Sequence, residues 1–343
     1  MTHVIARAGL QPSTYTRALP HAEDRLWPEK NCYIDVWIGL AHGLGLDPLA
    51  MMSFLIAIDF EGDQWTFYKP QHSELADLYG FDVQELTVWK PLLEHAIEHL
   101  GAGKLISTEA DAYYLPDTSG TDYQRNHVKT TIVLVEVDTD AQRCAYFHNT
   151  GLHWMAGEDF RKIFRVDAPA DPTFLPLFAE VVRLDRLVQH CATTLQSMAL
   201  GLLRRYFDRR PQHNPVALFG ARFAQELPAL QNHGLAHYHA WAFATTRQMG
   251  SGFELAALHL AWLAGASGAE STLRARALLT ASEAFTEISA GAKAFILKAA
   301  RAVNGKKPLD VTEQFGRWAL AWDRAMAEIA LALEPESGAV VGQ

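Results

Sequence analysis

The sequence predicts an α+β first half followed by an all-α second half, and three observations carry that reading. The run His127-Val128-Lys129-Thr130-Thr131-Ile132-Val133-Leu134-Val135-Glu136-Val137 is dense in β-branched residues, the composition of a strand. Far downstream, Leu278, Ala281, Phe285, Ile288, Ala292, Phe295, Ala299 and Val303 step by three or four residues, which marks one face of a helix. The charge also divides. Residues 1–170 hold 13 Lys and Arg against 24 Asp and Glu, a balance of −11, whereas residues 171–343 hold 17 against 15, a balance of +2. A chain of 343 residues suffices for two domains. The expected organisation is an N-terminal arm over 1–25, an α+β domain over 26–168, a helical bundle over 174–334 and a flexible tail over 335–343.

The arm is polar and interrupted by Pro12 and Pro20. A helix is expected from Asn31–Cys32, because Ile34, Trp37, Ile38 and Ala41 form one apolar stripe. Asn31 is a good capping residue type, and Gly43 and Gly45 can end the helix. Residues 48–58 are apolar and expected to be buried, and 65–68 alternate like a strand before Pro70. Residues 73–79 and 83–100 read as helical, the second piece interrupted at Pro91. Residues 105–116 read as a strand running into a loop over 117–126. After the 127–137 strand, 138–142 is a turn, 143–149 returns as the partner strand, and 157–160 starts a short helix. Pro169, Pro172 and Pro176 mark a linker. Five or six helices should follow, with breaks near 211–215, 228–234, 250–252, 265–268 and 305–308.

Composition excludes several classes. An apolar fraction of 49 % rules out disorder as the main state. Cys32, Cys144 and Cys191 cannot all pair and show no CxxC spacing, so neither a disulfide scaffold nor a zinc ribbon is expected, and a reducing compartment is. A net charge of −9 argues against nucleic-acid binding. No apolar run reaches membrane-spanning length and no signal peptide is visible, so the expected setting is cytoplasmic, with no membrane partner. His237 and His239 point apart on a helix, and no metal or bound cofactor is expected.

The chemistry-bearing pattern lies in the first half. Cys32 starts a helix, His127 starts a long strand, and Asn149 ends the returning strand. Cysteine-based acyl chemistry needs such a set: a helix N-terminus supplies positive potential and free N–H groups for an oxyanion, an imidazole moves the proton, and a third group orients it. With a turn centred on Asp140, His127 falls opposite His153 and Asn149 opposite Thr131. A bulge or a longer turn would be needed to join Asn149 to His127. His148 and His153 are substitutes for the third member.

This order resembles that of papain-like proteins, and more closely the N-terminal domain of butirosin biosynthesis protein H and its relatives. The resemblance covers roughly 26–165. It rests on the Cys-led helix, on Asp111, Tyr113, Tyr114, Leu115 and Pro116, on His127, on His148-Asn149 and on Glu158-Asp159-Phe160. The whole chain also resembles a bacterial family of unknown function. The likeness implies a papain-like core, a helix packed on an antiparallel sheet. It also implies an acyltransferase that moves an aminoacyl group from the phosphopantetheine thioester of a carrier protein to an amine or other small-molecule or peptide acceptor. Cys32 would be the nucleophile, His127 the base and Asn149 the orienting residue, while Asp111, Tyr113 and Tyr114 would line the acyl pocket. Leu26 stands six residues before Cys32, near where papain-like peptidases carry a Gln, which counts against peptide cleavage. A thioesterase or amidase, and a non-catalytic carrier-protein or small-molecule binding protein, are the alternatives. Arg204, Arg205, Arg209 and Arg210 form the sharpest basic cluster. It reads either as a carrier-protein dock or as a solvated helix end.

Overall fold

The computed structural model describes residues 2–169, 173, 176–265 and 273–335. Pro172 of the expected linker, most of the expected break at 265–268 and residues 336–343 of the expected tail lie outside them. The chain divides into two units. The first comprises 1–48 and 69–190, and the second 49–68 and 191–343.

The first unit is built on an antiparallel sheet of seven strands: β1 (His3–Ile5), β2 (Asp82–Glu85), β3 (Leu105–Asp111), β4 (Lys129–Asp138), β5 (Arg143–His148), β6 (Gly151–Ala156) and β7 (Ala179–Arg183). The order is β2-β7-β3-β4-β5-β6, with β1 also on β4. The β-branched run thus forms the central strand, buried along Ile132–Val137. Helix α1 (Cys32–Gly43) packs on β4 and β5. The expected apolar stripe understates it, because every residue from Tyr33 to Ala41 is buried. A helix apolar around its circumference belongs inside a core. Gly39 and Gly43 let Phe147 of β5 and Tyr15 of the arm approach closely, for added Cβ atoms would meet the Phe147 ring at 3.1 Å.

Several expectations are corrected. The arm joins the sheet, since β1 pairs with the last residues of β4. Residues 82–85 are a strand rather than the start of a helix, and the helix that follows is α3 (Leu92–Gly101). It comes after α2 (His72–Tyr79). Residues 65–68 form no strand; Trp65 makes a single bridge to Phe60. The prolines near 169–176 do not end the unit. The chain passes them and returns as β7 between β2 and β3, after α4 (Glu158–Phe164).

The second unit holds α5 (Ala192–Asp208), α6 (Pro215–His233), α7 (Leu235–Ala244), α8 (Thr246–Gly265), α9 (Leu273–Asn304) and α10 (Thr312–Leu333). Pro228 sits inside α6 and the break expected near 228–234 falls at Gly234, whereas α8 runs through 250–252 and the chain breaks at Thr245 instead. Small residues let helices meet. A Cβ on Gly291 of α9 would lie 2.4 Å from the Trp318 ring of α10.

The excursion 49–68, placed by sequence in the first domain, is bound into this unit by specific contacts. Phe60 and Trp65 pack on Phe219, and Trp65 on Phe253. Tyr68 Oη pairs with Ser251 Oγ at 2.7 Å. His259 Nδ1 donates to the Leu49 carbonyl at 2.8 Å, and its Nε2 lies 3.0 Å from Ser53 Oγ.

Burial pushes the His259 imidazole from 6.5 down to about 4. The sign of the pH dependence follows. Between these values the unfolded chain binds a proton that the folded unit refuses, so stability falls as pH falls across this window and levels off below it. The expected loss is about 3 kcal/mol. The check is urea unfolding at several pH values, in which the stability gap between wild type and His259→Asn should narrow as pH drops from 6.5 to 4.

Among the described residues, no helix is long and apolar enough to cross a membrane.

Candidate functional site

Cys32 is the first residue of α1, and Asn31 caps the helix as its residue type suggests. Asn31 Oδ1 accepts from the N–H groups of Tyr33 and Ile34 at 3.1 and 3.0 Å. The loop before it is fixed by a buried cluster. Asp35 Oδ2 accepts from the Lys30 N–H at 2.9 Å, Asp35 Oδ1 pairs with His21 Nε2 at 3.0 Å, and Lys30 Nζ donates to the carbonyls of Pro20 and Trp27. The half-buried Cys32 thiol faces β4, with Sγ 3.8 Å from Thr131 Oγ1.

Side chains alternate along a strand, so Thr131 and Lys129 share the α1 face of β4. Lys129 Nζ donates to Glu109 Oε1 at 2.8 Å. That hydrogen bond raises the ammonium pKa, and the nearby Cys32 adds to the effect.

His127 lies two residues before the strand proper. Its Nδ1 is 2.6 Å from Asp111 Oδ2, and its ring stacks on Tyr113 at 4.3 Å with 10° between planes. Tyr114 meets the imidazole edge-on at 6.2 Å. The side chain is 66 % exposed. Asp111 and Tyr114 also line a cavity of about 530 Å³, whose opposite wall is α4 and the turn after it, with Arg161, Lys162 and Arg165. The residues expected to meet therefore fall into two groups on one sheet face. Cys32 touches Thr131, and His127 is held by Asp111 and Tyr113. Among the described residues no hydrogen bond joins the two groups.

Asn149 stands elsewhere. It occupies the two-residue turn between β5 and β6 with φ of 45°. A bulge at Val135 shifts the β4–β5 register, and beyond it Val133 pairs with Phe147. That register keeps Asn149 level with Thr131 and away from His127. Asp111 makes the contact to His127 that the sequence reading gave to Asn149. The β3–β4 register brings it there, with Asp111 directly opposite Lys129.

His148 and His153 belong to the opposite face. His148 Nε2 is 2.8 Å from Thr130 Oγ1, and Nδ1 is 2.6 Å from Asp117 Oδ2. Tyr146 Oη donates to Asp117 Oδ1 at 2.6 Å, and His153 Nε2 donates to the His148 carbonyl at 3.2 Å. Thr130 and Thr131 point to opposite sides of β4, so these imidazoles are turned away from Cys32.

Sequence reasoning also missed a polar cluster beside Cys32. Tyr33 Oη donates to the buried Glu180 at 3.1 Å and lies 2.7 Å from His72 Nε2, while Ser107 Oγ donates to Glu180 at 3.1 Å. Burial first, then the Glu180 charge, pushes the Tyr33 phenol upward.

The four arginines sit at the end of α5 and are engaged locally. Arg204 donates to the Leu333 carbonyl of α10, Arg205 and Arg209 lie over Tyr206, and Arg210 donates to the Phe207 carbonyl at 2.8 Å.

Cys144 is buried, whereas Cys191 is exposed. It precedes α5, and the hydroxyls of Thr193 and Thr194, together with the Thr194 N–H, lower its thiol to about 7. Iodoacetamide should therefore modify Cys191 with a half-maximal rate near pH 7. Peptide mapping should find Cys144 untouched until the protein unfolds.

The fold and these sites define a two-unit protein, a sheet-based α+β unit followed by a helical one. The chain matches the DUF1839 N-terminal domain over residues 16–184 and the DUF1839 C-terminal domain over residues 192–331. It belongs to the DUF1839 family. The two matches meet where the two units divide, between 184 and 192. No curated protein matches the chain.

Proposed function

We propose that the N-terminal unit carries an acyl-transfer site, moving an acyl or aminoacyl group from a carrier-protein phosphopantetheine thioester to an amine. The observation that carries this reading is Asp111, which holds His127 at 2.6 Å and lines the cavity beside it. An imidazole fixed at Nδ1 by a carboxylate presents Nε2 as a base. His127 takes the proton of the acceptor amine as its nitrogen attacks the thioester carbonyl. The C–N bond forms, the C–S bond breaks, and the imidazolium returns the proton to the leaving thiolate.

Cys32, on the same sheet face at a helix N-terminus, allows a two-step version. Its sulfur first exchanges with the carrier thiol, and the amine then attacks the new thioester. Asn31 takes the N–H groups of Tyr33 and Ile34, so the Cys32 N–H is the donor for an anionic oxygen there. A free thiol nucleophile also fits a cytoplasmic setting.

The 66 % exposure of the His127 side chain favours a second reading, hydrolysis, because water reaches the base. The test is intact-mass analysis with aminoacyl-pantetheine thioesters in a Cys191→Ser background, which removes the competing exposed thiol. An adduct lost in Cys32→Ala supports the two-step route. Thioester consumption that needs His127 but gives no adduct supports direct transfer or, without an amine product, hydrolysis. Consumption unchanged in both Cys32→Ala and His127→Ala overturns the proposal.

A further inference from the structure

A second cavity, about 570 Å³, opens at the other end of β3, where β7 ends and α3 gives way to β3. Four cations line it, Arg7, Lys104, Arg183 and Arg186, against two carboxylates, Asp82 and Asp185. In this balance of +2, Arg7, Lys104 and Asp82 come from the acidic residues 1–170, and Arg183, Arg186 and Asp185 from just beyond them. The cavity's size suits a small molecule rather than a macromolecular face.

Two of the cations are pre-positioned. Arg7 donates one nitrogen to the Leu184 carbonyl at 3.1 Å, and Arg183 pairs with Asp82 Oδ2 at 2.7 Å. Hydrogen bonds from Gln84 and Arg183, with a smaller contribution from the charge of Arg186, hold the Asp82 carboxyl below the usual carboxylate range, so that carboxylate is already committed to Arg183. Among the described residues no carboxylate lies within ion-pair distance of Lys104 or Arg186. A guanidinium fork held at one nitrogen keeps its other N–H groups for a planar or tetrahedral oxyanion. A charge of +2 is matched by a dianion, which points to phosphate over a single carboxylate.

We infer that this cavity binds a phosphorylated small molecule through its phosphoryl group. Lys104 and Asp111 stand at opposite ends of β3, about 23 Å apart along the strand. The site is therefore separate from the cavity that Asp111 lines and does not depend on the acyl-transfer reading.

The test is calorimetric titration of the full chain at low ionic strength with inorganic pyrophosphate and with ADP. The wild type should bind both, and the Lys104→Ala/Arg186→Ala double variant should bind about a hundredfold more weakly, two charge-assisted contacts being lost. Lys104→Arg should retain binding. Equal affinity for the two probes assigns recognition to the free anion, and tighter ADP binding assigns it to a phosphate ester. No binding of either probe by the wild type, or unchanged affinity in a folded double variant, overturns the inference.

Discussion

Replacing His127 by alanine is expected to lower thioester turnover about a thousandfold, the range over which a positioned base acts. The protein should stay folded, because the side chain is two-thirds exposed and its loss opens no cavity in the core. Asp111→Asn is expected to cost about a hundredfold in kcat with little change in KM, since the amide can still approach Nδ1 but no longer stabilises the imidazolium. This split separates two roles for Asp111, which both holds the imidazole and lines the cavity. A rise in KM alone would make it a substrate contact. Tyr113→Phe should be nearly silent and Tyr113→Leu should not, because the ring, not the hydroxyl, stacks on His127. Steady-state kinetics with one thioester and one amine checks all four variants.

The helix carrying Cys32 and the central strand were legible in the sequence because their signals are local. Asn31 caps, the apolar residues recur at helical spacing, and the β-branched run is long. What escaped was set by distant partners. β6 is short and mixed in polarity, and it exists because a two-residue turn at Asn149 folds it back on β5. β7 follows three prolines that read as a domain boundary, yet it pairs on both edges, with β2 and with β3. The run 49–58 was recognisable as buried, but an apolar segment does not specify which core it enters. That choice is made by Phe219, Phe253 and His259, roughly 150 to 210 residues downstream.

The candidate site divided the same way. Each polar residue could be named, but their pairing depended on strand register. One residue along β4 decides which face a side chain takes. Thr131 therefore faces Cys32, and Thr130 faces His148. Asp111 was read as a pocket residue because its partner at 127 comes close only through the β3–β4 pairing.

Asp117→Ala is expected to be the most destabilising polar substitution in the first unit, at about 4 kcal/mol, because it strands buried partners of a carboxylate. Asp117 and His148 are nearly inaccessible, and the carboxylate accepts from both His148 and Tyr146. Burial alone would raise the Asp117 pKa, but those hydrogen bonds and the charges of His148 and His153 outweigh it and hold the group below its usual range. The sign follows: a depressed carboxylate stabilises the fold above its unfolded pKa, and the contribution is lost as pH falls through the folded value. Wild type and Asp117→Ala should converge in stability in acid and differ most near neutrality, as chemical unfolding would report. Asp117→Asn should cost less, because His148 can exchange tautomers. Its Nδ1 would accept from the new amide while Nε2–H donates to Thr130. On this account a folded Asp117→Asn protein keeps its thioester activity, since the network lies on the face of β4 away from Cys32. Loss of activity in that folded variant would move the chemistry to the other face, where Thr130, His148 and Asp117 already have the spacing of a hydroxyl–imidazole–carboxylate relay.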